Sequence, residues 1–411
     1  MKNYLIILFA FSTSLSFAQL ALDTNTAYPE MVKEYLIGPT SGIIVNAVQY
    51  QGHRKSIAGF TDPSNYAIIS KGVAISTGNV FDAIGPNDSG SKGEGSSGLS
   101  DKDLELLANG KSYDAAILII DFIPTSDSFS FDYFFASEEY PEYVNKGVND
   151  VFAFIVKRVG DSVGQNLAVF ENAAIPITVD QINGKINSHL YIANSLWDPN
   201  DINKWKDDRA RGERSLQYQF DGFTHLLHVN TKVIAGQRYQ IKIAIADIGD
   251  RIYDSAVFLK AGSLKSDGEK AKGVEYLQLI AENSTWDNTP TFKKVNENCF
   301  AINAKINYQT DEFRLRADMR PMLNKMVSLL KADERIQLKI IGHTDNTASS
   351  EYNKTLSAKR ANVIYNYLIS SGIAPNRLSF EGKGDSSPTL PNSSESNRLE
   401  NRRVEFQLSL N

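Results

Sequence analysis

Between residues 43 and 261 one short, strongly β-prone run follows another without a long amphipathic helix, and no other feature constrains the fold as much. The runs at 43–50, 67–76, 115–123, 129–135, 151–159, 217–220, 224–229, 239–246 and 256–261 are rich in Val, Ile, Phe and Tyr. Each is bounded by Gly, Pro, Asn, Asp or Ser. β-Branched and aromatic side chains suit a pleated, half-buried surface, and turn formers between the runs return the chain on itself. Such a succession predicts an all-β sandwich of jelly-roll or related topology. Two short helices are expected beside it, at 28–37 before Gly38-Pro39, and at 101–107 with Ser100 as its cap. The Gly/Ser-rich stretch 85–98 reads as a loop.

The carboxylates of this region collect at strand ends. Ser137-Glu138-Glu139-Tyr140-Pro141-Glu142 follows an aromatic strand, Asn149-Asp150 opens the next, and Asp247, Asp250 and Asp254 fill a turn between two late strands. Calcium takes about six to eight oxygen ligands, which makes Glu138, Glu139, Asp150, Asp247, Asp250 and Asp254 candidate ligands. The same residues serve equally well as turn formers and solvated carboxylates, and spacing does not say whether the two groups meet. Paired acids, Glu138 with Asp150 or Asp247 with Asp254, are also what a glycosidase requires. Tyr191, Trp197, Trp205 and Tyr218 either line a sugar-binding face or fill the core. Against catalysis, no serine sits in a nucleophile elbow, and His225 and His228 point to opposite faces of a strand.

After residue 297 the period changes. Ile302, Ala304, Ile306 and Tyr308 alternate as a strand, and Met319, Met322, Leu323, Met326 and Leu330 form a helical stripe with Pro321 in its opening turn. Ile336, Leu338 and Ile340 make a second strand that stops at Gly342, and a polar loop then carries His343, Thr344 and Asp345. On the next helix Leu356, Arg360, Val363, Ile364, Tyr367 and Leu368 recur at three- and four-residue spacing, which puts Arg360 on or beside the core face. Further strands are expected at 377–381 and 404–408, giving an α/β two-layer sandwich over residues 297–411. The polar stretch 266–296 reads as a linker, with a short apolar strand or helix at 274–280. An arginine on an apolar stripe needs a carboxylate or an anionic ligand. Asp345 at the end of the preceding strand is the nearest candidate, and residue types alone allow either a structural salt bridge or a pocket in which Asp345 holds an ammonium and Arg360 a carboxylate.

Gly342-His343-Thr344-Asp345-Asn346-Thr347, Leu356-Ser357-Ala358-Lys359-Arg360-Ala361, Gly372-Ile373, Arg377-Leu378 and Asn401-Arg402-Arg403-Val404-Glu405-Phe406 resemble, in order and spacing, the OmpA-like peptidoglycan-binding domain. That resemblance implies that Asp345 and Arg360 clasp the zwitterionic end of diaminopimelate in the peptidoglycan stem peptide, with Thr344, Asn353 and Arg402 in support. Ala348 stands where the family often has glycine, and Asn397 replaces the glycine before Arg398. In the sandwich region, Ala74-Ile75-Ser76-Thr77-Gly78, Phe134-Phe135-Ala136-Ser137-Glu138-Glu139-Tyr140, Asn149-Asp150-Val151-Phe152-Ala153-Phe154 and Asp254-Ser255-Ala256-Val257-Phe258-Leu259 resemble a choice-of-anchor domain of the L type, over about residues 25–265. This second resemblance implies an exported display module joined to a separate surface anchor.

Met1-Lys2-Asn3, the apolar run 4–11 and Ser16-Phe17-Ala18 have the form of a secretory signal peptide spanning 1–18, which leaves 19–265 for the sandwich. No cysteine follows the apolar run, so a lipid anchor of the usual bacterial kind is not expected, nor is a transmembrane segment after cleavage. Cys299 is the only cysteine, which excludes an intrachain disulfide, and its position favours burial. A formal net charge of -5 argues against nucleic acid as a partner. The combined expectation is a non-enzymatic envelope protein of a Gram-negative bacterium. It is held in the periplasm to peptidoglycan and displays a β-sandwich adhesion module, with calcium as its candidate ion and an envelope or extracellular glycan or protein as its partner. The alternative is a wall-anchored carbohydrate-active enzyme or lectin.

Overall fold

The computed structural model describes residues 20–411 apart from 39, 65–66, 86, 88–96, 142, 147–149, 171–173, 195–216, 250 and 287–289. The expected signal peptide, most of the 85–98 loop, Trp197, Trp205 and Asp250 lie outside the described residues.

The N-terminal part runs β1 (Ala21–Asp23), α1 (Tyr28–Tyr35), β2 (Ile43–Gln51), β3 (Ile57–Thr61), β4 (Lys71–Ser76), α2 (Lys102–Ala108), β5 (Ser112–Pro124), β6 (Ser128–Ser137), β7 (Val151–Arg158), β8 (Gln165–Asn166), β9 (Tyr191–Ala193), β10 (Gly222–Thr224), β11 (Leu227–Lys232), β12 (Tyr239–Ile248) and β13 (Ser255–Lys260). These strands form two antiparallel sheets. One has the order β1-β3-β4-β13-β6-β10-β9 with β11 also on β6, and the other β2-β5-β12-β7-β8. The expected sandwich is therefore present, and its aromatic strand shows why the sheets stack. Phe129, Phe131, Tyr133 and Phe135 point from β6 into the core between the sheets, where Phe122, Phe152, Phe154 and Ile243 meet them. Phe134 and Ala136, on the other face of β6, join Tyr218, Phe223 and Phe258 in a second apolar layer. Burying one such ring contributes about 1.5–3 kcal/mol, so a strand that is apolar on both faces belongs inside a covered sheet. The outer face of the second sheet is covered by Leu104 of α2.

Three local readings are corrected, and one open alternative is decided. Asp101 rather than Ser100 caps α2, because its carboxylate accepts from the Asp103 and Leu104 amides. The run at 224–229 divides into β10 and β11, which pair with different parts of β6 on either side of the exposed His225 and Leu226. The run at 217–220 makes an isolated bridge, Tyr218 to Ile84, rather than a strand. Tyr218 is fully buried, and Tyr191 packs on the buried Tyr140, which makes both of them core aromatics rather than an open sugar-binding face.

The expected linker 266–296 is structured and holds α3 (Gly273–Asn283) and β14 (Thr291–Asn296). Beyond it come β15 (Cys299–Asn307), α4 (Arg320–Ala332), β16 (Ile336–Gly342), α5 (Ser350–Ser370), β17 (Leu378–Gly382), α6 (Glu395–Asn401) and β18 (Arg403–Leu410). The sheet has the order β14-β15-β18-β16-β17, in which β16 and β17 alone are parallel. Helices pack against it in the two-layer arrangement expected, with Leu323, Met326 and Leu330 of α4 and Ile364 and Leu368 of α5 in its core. That core takes in Val274, Leu277 and Ile280 of α3 and reaches Ile44 and Ile123 of the β-sandwich. Polar contacts follow the same path: Asn46 donates to the Asn283 carbonyl at 3.0 Å, and Lys325 to Asn46 Oδ1 at 2.8 Å. Cys299 is half-buried rather than buried, because it begins the strand next to the edge. Among the described residues no helix is long and apolar enough to cross a membrane.

Candidate functional site

The best-defined polar site lies where β16 ends against α5. Gly342 is required here, since a Cβ at this position would come within 2.0 Å of the Ser357 carbonyl oxygen on α5. That close approach brings the 343–345 loop under the helix. The His343 amide donates to the Arg403 carbonyl at 2.9 Å and the Thr344 amide to the Gly384 carbonyl at 2.9 Å, which fixes the loop between β18 and the turn after β17. α5 starts at the Ser349 cap and buries Asn353, Leu356, Arg360 and Ile364 along one side, the three- and four-residue stripe read from the sequence.

Arg360 is fully buried. Its guanidinium donates from Nε to the Glu312 carbonyl at 2.8 Å, from Nη1 to the His343 carbonyl at 2.9 Å and from Nη2 to the Gln309 carbonyl at 3.1 Å. It also lies 4.8 Å from the centre of the Tyr308 ring. Burial, with Arg402 nearby, brings its pKa down to about 10, so it keeps its charge at neutral pH. Of the two arrangements that the residue types allow, a direct Asp345–Arg360 salt bridge is not formed. Asp345 Oδ2 instead accepts from Arg402 Nη1 at 2.7 Å, while Oδ1 takes the Thr347 amide at 3.0 Å and hydroxyl at 2.5 Å. Burial pushes the Asp345 pKa up, but the Thr347 hydroxyl and Arg402 outweigh it and hold the carboxylate below its usual range. Arg402, between α6 and β18, also donates to the Tyr308 carbonyl at 2.9 Å and to Glu395 at 2.7 Å. The loop 382–403 thus delivers Arg402 to the site as expected, and α6, which the sequence reading missed, supplies the Glu395 that holds it.

Thr344, Asp345, Asn353, Arg360 and Arg402 all line one cavity of about 40 Å³. Two contributors were not foreseen, Tyr352 and Asp311, whose hydroxyl and carboxylate are in contact at the rim. Asp311 has a φ of 61°. The sequence announces Asp311 only as a turn former able to adopt this left-handed conformation. Asn353 reaches back to the Ala348 carbonyl at 3.1 Å, so the alanine found in place of the family's glycine closes the loop without disturbing the site.

The acidic residues of the sandwich form a second group. β6 ends before Glu138 and Glu139, β7 begins after Asp150, β12 contains Asp247 near its end, and β13 begins after Asp254. Ser255 pairs with Ser137, and Ala246 with Val151, so all of these ends lie together. A β-bulge between Ile245 and Asp247 re-aims the Asp247 side chain. The Glu138 amide donates to the Asp254 carbonyl at 3.1 Å and the Asp150 amide to Glu139 Oε2 at 3.2 Å, so the two sequence clusters do meet. Glu138, Glu139, Asp150, Asp247 and Asp254 are all buried. Burial, together with Glu139, Asp247 and Asp254, drives the Asp150 pKa well above the usual carboxylate range. Burial, with Asp82 and Asp114, pushes Asp254 up to about 8. Among the described residues no three His, Cys, Asp or Glu side chains converge as a ready metal-ligand set, and Asp250 lies outside them.

The family model of the Choice-of-anchor L domain matches residues 20–265, and that of the OmpA family matches 307–402. The chain belongs to the choice-of-anchor L domain family, and it carries an OmpA family domain behind that module. It is 31% identical over 128 residues to Outer membrane protein A of Bordetella avium, covering 30% of this chain and 66% of that protein. It is 38% identical over 85 residues to Peptidoglycan-binding protein ArfA of Mycobacterium bovis, covering 21% of this chain and 26% of that one. The chain thus spans just under two thirds of the first relative and about a quarter of the second. Among solved structures, the C-terminal domain of Helicobacter pylori MotB is 29% identical with a TM-score of 0.24, covering 26% of this chain and 83% of that one.

Proposed function

We propose that this is an envelope protein that binds peptidoglycan non-covalently through its OmpA family domain and displays the β-sandwich as a binding or adhesion module. The observation that carries the reading is that Asp345 and Arg360 line the same small cavity with donors and acceptors to spare. A guanidinium has about five N–H donors. Three of those on Arg360 are taken by main-chain carbonyls, which leaves two for a ligand carboxylate. Asp345 accepts three hydrogen bonds and keeps a lone pair for an ammonium group. A cavity of about 40 Å³ admits the end of a side chain and no more, which suits the zwitterionic end of diaminopimelate in a stem peptide. Thr344 and Asn353 shape the walls, and Arg402 holds Asp345 in place.

The names of the relatives support the same reading, since ArfA is a peptidoglycan-binding protein, and Outer membrane protein A of Bordetella avium and lipoprotein YfiB of Pseudomonas aeruginosa are outer-membrane proteins. We place the chain in the periplasm of a Gram-negative bacterium, on the wall beneath the outer membrane. No turnover is part of this reading. The partner of the sandwich is an envelope or extracellular glycan or protein, bound in a calcium-dependent way at the acidic end. The wall-binding part is tested by sedimenting the full chain with insoluble sacculi. The parent is expected in the pellet, Asp345→Asn and Arg360→Lys largely in the supernatant, and equal sedimentation of all three overturns the assignment.

A further inference from the structure

We infer that the acidic end of the β-sandwich is a binding site for a hard divalent cation, calcium in particular, built around Asp150 and Asp254. The inference deepens the calcium dependence proposed above for the displayed module and is independent of wall binding.

The first ground is placement. The acidic strand ends come from both sheets: β6 and β13 belong to one, β7 and β12 to the other. An ion held there ties the two layers together at one edge of the core. The second ground is the state of two side chains. Asp254 and Asp150 are 3% and 2% exposed. Neither oxygen of Asp254, nor Oδ2 of Asp150, has a hydrogen-bond partner among the described residues. Neither residue takes part in an ion pair there either, and the nearby Arg251 is engaged with Asp114 at 2.7 Å. Buried carboxylate oxygens are normally satisfied, and leaving one bare costs more than an ordinary hydrogen bond returns. The chain has made room for this: a Cβ at Gly78 would come within 1.7 Å of Asp254 Oδ2, so only glycine lets that carboxylate lie where it does.

The third ground is chemical. Glu139 and Asp247 lie near Asp150, and Asp82 and Asp114 near Asp254, so this end of the sandwich is supplied with oxygen donors rather than sulfur or imidazole. The one cysteine is in β15 of the other unit. Carboxylate oxygens in number select calcium over softer metals, and they draw together on the ion at about 2.3–2.6 Å.

The experiment uses the full chain, stripped with a chelator and returned to chelator-free buffer, with thermal unfolding followed against calcium and magnesium. Calcium is expected to raise the melting temperature by about 5 °C or more at a hundredfold excess over its dissociation constant, rising further with the logarithm of its concentration, with magnesium weaker. Asp254→Asn and Asp150→Asn are expected to lose most of that shift while melting, without calcium, close to the parent, because each keeps the shape of the side chain and breaks no hydrogen bond at Asp254 or at Asp150 Oδ2. A flat response to calcium in the parent, or a shift retained in both variants, overturns the site. Should either variant fail to fold, terbium luminescence sensitised in the unaltered chain by Tyr140 and displaced by calcium supports the site, and its absence overturns it. Sacculus sedimentation in chelator reads the wall-binding proposal separately.

Discussion

Replacing Arg360 by methionine isolates what this buried cation does for the fold. Three hydrogen bonds to the Glu312, His343 and Gln309 carbonyls disappear. Bonds from a charged donor are worth about 1.5–3 kcal/mol each, so the gross loss is about 5–9 kcal/mol. Part of this returns, because methionine fills much of the volume and removes a guanidinium that burial already disfavours. A net loss of about 3–5 kcal/mol is expected, the cost of leaving main-chain acceptors unpaired inside the protein. Asp345→Asn is milder, at about 1–2 kcal/mol, since the Thr347 contacts survive and Arg402 keeps the Tyr308 carbonyl and Glu395. Urea unfolding of the full chain, followed by far-ultraviolet circular dichroism, reads both, because the long helices belong to the C-terminal unit. Arg360→Met matching the parent within about 0.5 kcal/mol, or Asp345→Asn falling further than Arg360→Met, would refute the hydrogen-bond assignment. The ordering also makes Asp345→Asn the cleaner probe of wall binding, since a lost ligand contact is not then confused with a lost domain.

Phe134→Ala removes a fully buried ring stacked on Phe258 with centroids 4.5 Å apart, and is expected to cost about 3–5 kcal/mol in the same urea titration. Gly342→Ala should lower the melting temperature sharply, because its methyl group meets the Ser357 carbonyl and forces α5 off β16. Glu405 has its pKa lowered to about 2 by His343 and Arg403, so its contribution to stability is complete above about pH 4.5 and is lost as pH falls towards 2. The stability gap between the parent and Glu405→Gln should therefore shrink on acidification over that window, and a constant gap would contradict the pairing.

Much of this was legible in the sequence because it rests on periodicity. The alternation in β6 and the three- and four-residue stripe of α5 report faces, and faces decide layers. That Thr344, Asp345, Asn353, Arg360 and Arg402 share one cavity was legible from motif position, yet their pairing was not. Arg402 rather than Arg360 meets Asp345, because Arg360 finds main-chain carbonyls in the 309–312 loop that no side-chain pattern announces. Glu395 was hidden for a similar reason, as a seven-residue helix in a polar stretch has no apolar stripe to give it away. The 266–296 segment looked like a linker because its strand is exposed and its helix short, although Leu277 and Ile280 are fully buried. The meeting of Glu138, Asp150 and Asp254 depends on strand order across two sheets, which local sequence does not encode.

Titrating the full chain with a soluble muropeptide bearing a free diaminopimelate end, by calorimetry, tests the wall-binding clasp most directly. Saturable binding that Asp345→Asn weakens at least tenfold, about 1.4 kcal/mol, and that amidation of the diaminopimelate carboxylate also abolishes is the predicted result. Equal affinity of the parent and Asp345→Asn for the free and amidated peptides would contradict it.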